Sequence, residues 1–360
     1  MAGTMENFPP LLNDAIIKAA LGKKPHRIPI WIMRQAGRYL PEFQEVRKEH
    51  EFFEIVHDPV LACKVTLQPI QRYDLDAAII FSDILVIPAA LGMEVKMLPG
   101  TGPSFTSPLK SPADIEDLNW KLDVTEKMKG TLQAITLTRK KLEGKVPLLG
   151  FVGAPWTLMS YMIEGTGSRT LTKSKAWLYK YPEESKNLLD KLTGVVVLYL
   201  VEQVKAGAQM LQVFESHADL LSPDLFDRFC KGTLARILSE TKRQLLACGI
   251  SDIPMTIFAK GGHYALHEIS KLGYDVVGVD WTVTPKVARS LTIPSTVLQG
   301  NLDPVALFGS KESIKLNVDD MIKGFGTNQY ICNLGHGIYP ETPTENVQTF
   351  IDAVRTFKIE

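Results

Sequence analysis

Residues 186–216 read KNLLDKLTGVVVLYLVEQVKAGAQMLQVFES. The first 22 of them carry apolar residues at helical intervals and end in a basic residue followed by Ala-Gly, as helices often do. The last seven, MLQVFES (210–216), form a short apolar run that breaks into Glu215 and Ser216. A run so brief and so continuously apolar suits a strand buried on both faces better than an exposed antiparallel one. A helix feeding such a strand is half of a βαβ unit, so the rest of the chain should repeat it.

Similar runs recur at RIPIWIM (27–33), DAAIIFS (76–82), VPLLGFV (146–152), PMTIFAK (254–260), VVGVDW (276–281), STVLQGN (295–301) and YICNLG (330–335). Helical stretches such as TLQAITLTRKKLEG lie between them. Alternation of this kind predicts a parallel sheet, and eight runs predict a single (β/α)8 TIM barrel spanning 1–360. The two runs near 276 and 295 lie closest together and test that count most severely. The Pro- and Gly-rich segment 88–109, PAALGMEVKMLPGTGPSFTSPL, departs from the pattern and predicts a hairpin excursion after the second strand.

The chain has 40 Lys and Arg against 40 Asp and Glu. It therefore has no overall field to draw in nucleic acid or a membrane surface, and attraction for an anion must be local. The longest apolar run, GVVVLYLV (194–201), is too short to span a bilayer. The opening MAGTMENFPPLLNDAII lacks the pattern of a secretory or mitochondrial leader. Cys63, Cys230, Cys248 and Cys332 are scattered, as reduced thiols of an intracellular protein would be. A cytosolic location follows as the expectation.

In barrels the chemistry sits at the carboxyl ends of the strands. Those positions hold Arg34 and Arg38, Asp83, Glu215-Ser216-His217, Lys260, Asp280, Asn301, Asp303 and Gly335-His336-Gly337. Arg34, Arg38 and Arg47 offer rigid donor forks that match carboxylates two at a time. Their bland alternative is pairing with Glu42, Glu45 or Glu49. Asp83 stabilises positive charge on a substrate, or else caps a helix beginning ILVIP. Ser216 and His217 are sequence neighbours, so in a strand they point to opposite sides and form no couple. Tyr161 could donate from the rim. His336 lies between two glycines that tolerate close approach.

Two rival chemistries use the same strand ends. Lys260 is where a Schiff-base aldolase would hold its amine. Cys332 and His336 could begin a zinc-thiolate site of the barrel methyltransferase type, although the other cysteines fall on helical stretches. A non-catalytic binding scaffold is the third possibility, since fold alone proves no activity.

WIMRQAGRYLPEF (31–43), AAIIFSDILVIP (77–88), GFVGAPWTLMSYMIEG (150–165), LQVFESHA (211–218), LQGNLDP (298–304) and NLGHGIYP (333–340) resemble, in order and over nearly the whole chain, the motifs of the uroporphyrinogen decarboxylase family. The resemblance implies a single (β/α)8 barrel, a homodimer, and removal of four acetate carboxyls from uroporphyrinogen III to give coproporphyrinogen III without metal or cofactor. It implies that Arg34, Ala36, Arg38, Arg47, Asp83, Tyr161, Ser216 and His336 contact the substrate, with Asp83, Arg34 and Tyr161 catalytic. One departure is Thr166 in EGTGS, where the family commonly has glycine.

Overall fold

The structure is a computed structural model and describes residues 8–98 and 102–358. The first seven residues of the opening segment and the tip of the 88–109 excursion lie outside that range. Strands β1 (Ala78–Ile79), β2 (Val95–Leu98), β3 (Gly102–Phe105), β4 (Leu148–Gly153), β5 (Met210–Glu215), β6 (Met255–Ala259), β7 (Val276–Gly278), β8 (Val297–Leu302) and β9 (Tyr330–Leu334) follow one another along the chain. Seven of them form a parallel sheet in the order β1-β4-β5-β6-β7-β8-β9. Helices separate neighbouring strands, among them Pro182–Lys205 before β5. The runs near 276 and 295 are distinct strands, paired at Val276 with Val297. β2 and β3 stand apart as an antiparallel pair with Val95 opposite Phe105.

The first apolar run departs from the expectation of a strand over 27–33. Only Ile30 makes a ladder bridge, parallel to Cys332 of β9. Pro29 has no N–H to give. Side chains capture three of the backbone donors that follow: Ile30 N–H donates to Asp76 Oδ2, Ile32 N–H to Gln35 Oε1 and Met33 N–H to Asn333 Oδ1. The run nonetheless lies between the two edges of the sheet. Cys332 N–H donates to the Pro29 carbonyl on one side, and Asp76 N–H to the Ile30 carbonyl on the other, both at 2.8 Å.

Alternate residues of the parallel strands face two separate cores. Outward residues such as Leu211, Val213 and Ile257 join the large cluster beneath the helices. Inward residues Trp31, Leu149, Met210, Val276, Val297 and Ile331 form a second cluster, which also takes Ile16, Ala19 and Ala20 of the helix Ala15–Ala20. All of these inward residues but Trp31 are the first or second residue of their strand. The short helix therefore packs against the amino-terminal mouth of the curled sheet and covers it with apolar side chains. The carboxyl-terminal mouth is left as the open one.

Candidate active site

That open mouth holds a cavity of about 710 Å³. Phe151, Phe214 and Phe258 line it, each the third- or second-last residue of its strand. Phe214 meets both of the others edge-to-face, with ring centroids 5.8 and 6.2 Å apart. These aromatics were absent from the sequence-based expectations. Their signal was present in the same inward position of LLGFVG, MLQVFE and MTIFA.

Arg34, Ala36, Arg38, Arg47, Asp83, Tyr161, Ser216 and His336 all line this one cavity. Arg34 and Arg38 sit on the turn that follows the Ile30 bridge. Gln35 staples that turn: its amide donates to the Ala77 carbonyl at 3.0 Å while its oxygen accepts from Ile32 N–H. Tyr39 Oη donates to the Gln35 carbonyl at 2.9 Å. Arg34 itself adopts a φ of 64°, in the left-handed region that a side chain disfavours. Strain of that kind is common where surrounding structure over-determines a functional residue.

Glu42 is taken by Arg72 and Glu45 by Lys48, so neither neutralises the turn. Among the described residues Arg34 and Arg38 form no ion pair. Arg47 does, at 3.6 Å, but with Glu51 and not with the Glu42, Glu45 or Glu49 weighed for it. Solvent reaches Arg34 through the mouth, yet protein crowds it from every other side. Burial and the neighbouring Arg38 charge push its pKa down, while Asp83 and Tyr161 oppose the shift.

Asp83 does not cap the helix weighed as its alternative role. Its Oδ1 accepts from Leu85 N–H at 2.7 Å, yet Leu85 and not Asp83 is the cap of the five-residue helix Val86–Ala90. Burial raises its carboxyl pKa from 3.8 to about 6, with the Leu85 N–H and the Arg34 charge pulling the other way. At neutral pH it is therefore predominantly an anion, held in a place that water solvates poorly.

Tyr161 projects from the helix Pro155–Glu164, and burial raises its pKa. Its ring lies 5.2 Å from that of His217. β5 ends at Glu215, so Ser216 and His217 lie beyond the strand and alternation does not govern them. His217 instead pairs its Nδ1 with Ser160 Oγ at 2.6 Å, a partner supplied by another element. Glu215 is buried behind this wall, where Thr157 Oγ1 donates to its Oε1 at 2.7 Å and Ser216 N–H donates to that hydroxyl at 2.8 Å. Burial raises Glu215 to about 7.

His336 has its pKa pushed down to about 4 by burial and by the Arg34 and Lys260 charges, so it is neutral at pH 7. Gly337 N–H donates to its Nδ1 at 2.5 Å, which leaves the ring proton on Nε2 as a donor.

The rival chemistries find less support in the geometry. Lys260 is bound to Asp219 at 2.7 Å and does not line the cavity. Cys332 is fully buried in β9. Among the described residues no group of three His, Cys, Asp or Glu side chains could hold a metal ion, and no helix is long and apolar enough to cross a membrane.

Comparison with known proteins narrows the chemistry. The model of the family described as Uroporphyrinogen decarboxylase (URO-D) matches residues 11–357. The chain belongs to this family. The uroporphyrinogen decarboxylase of Danio rerio is 54% identical over 349 residues, 97% of this chain and 95% of that one. The Homo sapiens protein of that name is 52% identical over 349 residues, with the same coverage. That of Salinibacter ruber (strain DSM 13855 / M31) is 48% identical over 350 residues, 97% of each chain. Among solved structures, a methyltransferase from Methanosarcina mazei superposes with a TM-score of 0.81 at 23% identity, over 97% of this chain and 99% of that one. This last likeness concerns the fold alone. It places this uroporphyrinogen decarboxylase family member among TIM-barrel-like proteins.

Proposed function

We propose that the chain removes the four acetate carboxyls of uroporphyrinogen III, leaving methyl groups and releasing CO2, as a carboxy-lyase of porphyrin and haem biosynthesis. Family membership supports the activity. One observation connects it to this fold: three arginines and one poorly solvated aspartate line a single cavity with an aromatic floor.

The substrate carries eight carboxylates around a ring of four pyrroles. Arg34, Arg38 and Arg47 hold carboxylates at the rim, where two guanidinium groups unpaired among the described residues lose no ion pair there on binding. Ala36 and Ser216 fill the wall between them. The phenylalanine rings meet the apolar face of the macrocycle.

Loss of CO2 from a pyrrole acetate needs an electron sink. Protonation of the pyrrole ring provides one. The bond from the side-chain methylene to the carboxylate then breaks, its electron pair flows into the cationic ring, the resulting methylene takes a proton to become methyl, and the ring gives up the proton it had gained. In sum, one proton replaces one carboxylate as CO2.

Asp83 stabilises the transient cation. Its charge is already fixed and aimed, so little reorganisation is needed when the ring becomes positive. Ionised, it also accepts from pyrrole N–H groups. The neutral His336 donates through Nε2, and Tyr161 through its hydroxyl, to substrate oxygens. Arg34 both orients the reacting carboxylate and helps keep Asp83 ionised. No step in this scheme calls for a metal or an organic cofactor.

The same proposal takes 1–360 as one domain, counts the Ile30 run as the eighth stave of a closed barrel, and regards the β2–β3 pair as an excursion from its rim. It also includes a cytosolic homodimer. Anaerobic incubation of the purified, chelator-dialysed protein with uroporphyrinogen III tests the activity. Products losing carboxyls stepwise until four remain are expected, whereas unchanged substrate would remove the proposal.

A further inference from the structure

The Arg34 guanidinium has no carboxylate to anchor it among the described residues, and its backbone is in the left-handed region. Packing must therefore set the direction of its side chain. The closest approach comes from Gly337. A methyl carbon built on Gly337 would lie 2.3 Å from Arg34 Cδ, 2.7 Å from Cγ and 2.7 Å from Nε. Ordinary carbon contacts lie near 3.5–4 Å. The Arg34 stem thus occupies the space that any larger residue at 337 would fill.

Gly337 is not among the glycines with positive φ, so its backbone does not itself demand glycine. Nor can its segment easily retreat. Ile338 N–H donates to the Met33 carbonyl at 3.0 Å, and Met33 N–H donates to Asn333 Oδ1 at 3.0 Å. These bonds tie the chain on both sides of 337 to the residue just before Arg34. Any added carbon would press on the arginine stem rather than push the backbone away.

We infer that Gly337 is a positioning residue for Arg34: its missing side chain is the channel through which the guanidinium stem reaches the cavity and takes its carboxylate-binding orientation. This deepens the functional proposal above and rests on its assignment of Arg34. Gly337→Ala displaces the Arg34 stem by about 1 Å, a misplacement that can cost roughly a hundredfold in rate.

Four proteins test it: the unaltered chain, Gly337→Ala, Arg34→Ala, and the double variant, each assayed for kcat and KM with uroporphyrinogen III and for thermal midpoint. Gly337→Ala is expected to lose roughly a hundredfold in kcat/KM. Because its whole effect passes through Arg34, the double variant should be no worse than Arg34→Ala alone. Multiplying losses, or unimpaired turnover in Gly337→Ala, would overturn the inference. Unimpaired turnover in Arg34→Ala would overturn the assignment of Arg34 itself, a separate result. Should Gly337→Ala fail to fold, the midpoints decide: truncating Arg34 removes the obstruction and restores folding. A double variant that still does not fold contradicts the inference.

Discussion

Replacing Asp83 by Asn should make the protein more stable and nearly inactive at the same time. The carboxyl sits at about 6 against an ordinary 3.8, and burial is the main cause. Its folded-state pKa is therefore raised, so the folded chain binds this proton more tightly than the unfolded chain does. Near pH 3 and below, the group is largely neutral in both states and costs almost nothing. As pH rises through 6 the folded state must carry an ill-solvated charge, and stability is lost. At 1.36 kcal/mol per tenfold change, the full displacement corresponds to about 3 kcal/mol, and water in the open cavity reduces this to about 2 kcal/mol. Asn is isosteric and its oxygen still accepts from Leu85 N–H, so the variant is freed of the charge but keeps the turn. Urea unfolding of both proteins from pH 3 to pH 8 should give coincident midpoints at the acid end and a higher midpoint for Asp83→Asn above pH 6. Turnover should fall by about a hundred- to a thousandfold, the scale of losing one pre-aimed electrostatic partner. Equal midpoints at every pH, or a normal kcat, would refute the reasoning.

The arginine rim makes binding sensitive to salt. KM for uroporphyrinogen III should rise between low and physiological ionic strength, and less steeply in Arg38→Ala, which has lost one exposed cation; an unchanged salt slope would count against the carboxylate role of Arg38. Glu215 is buried with its carboxyl raised from 4.5 to about 7. Glu215→Gln keeps an oxygen for the Thr157 hydroxyl, so it should match the parent in stability below about pH 4.5 and exceed it above pH 7. A variant less stable throughout would show that the carboxyl's proton, not its charge, matters to the fold.

The inner strands were legible because a strand buried on both faces has a continuous apolar run with a polar break at its end. Met210–Glu215, Met255–Ala259 and Tyr330–Leu334 all fall within such runs. The run at 27–33 looked like the others and forms only a bridge, since Asp76, Gln35 and Asn333 take its backbone donors. Two of those three side chains lie over forty residues away, and no local pattern signals them. The same limit applies to His217. Its sequence neighbour Ser216 was set aside as a partner, and the partner it does have, Ser160, is brought in by the helix after β4. The cationic and acidic candidates were easier to find, because a charge that ends an apolar run has few places to go except the open mouth. The plug formed by Ile16, Ala19 and Ala20 was not foreseen, as AIIKAA is a short helix like many others.

The central claim is that the carboxyl-terminal mouth encloses the macrocycle with guanidinium groups at its edge and Asp83 beneath its nitrogens. A crystal structure of the protein with a reduced tetrapyrrole product, grown without oxygen, tests this most directly. Pyrrole N–H groups within hydrogen-bonding distance of the Asp83 carboxylate, and side-chain carboxylates on Arg34 and Arg38, are the expected result. A tetrapyrrole bound elsewhere, with Asp83 facing only solvent, would contradict it.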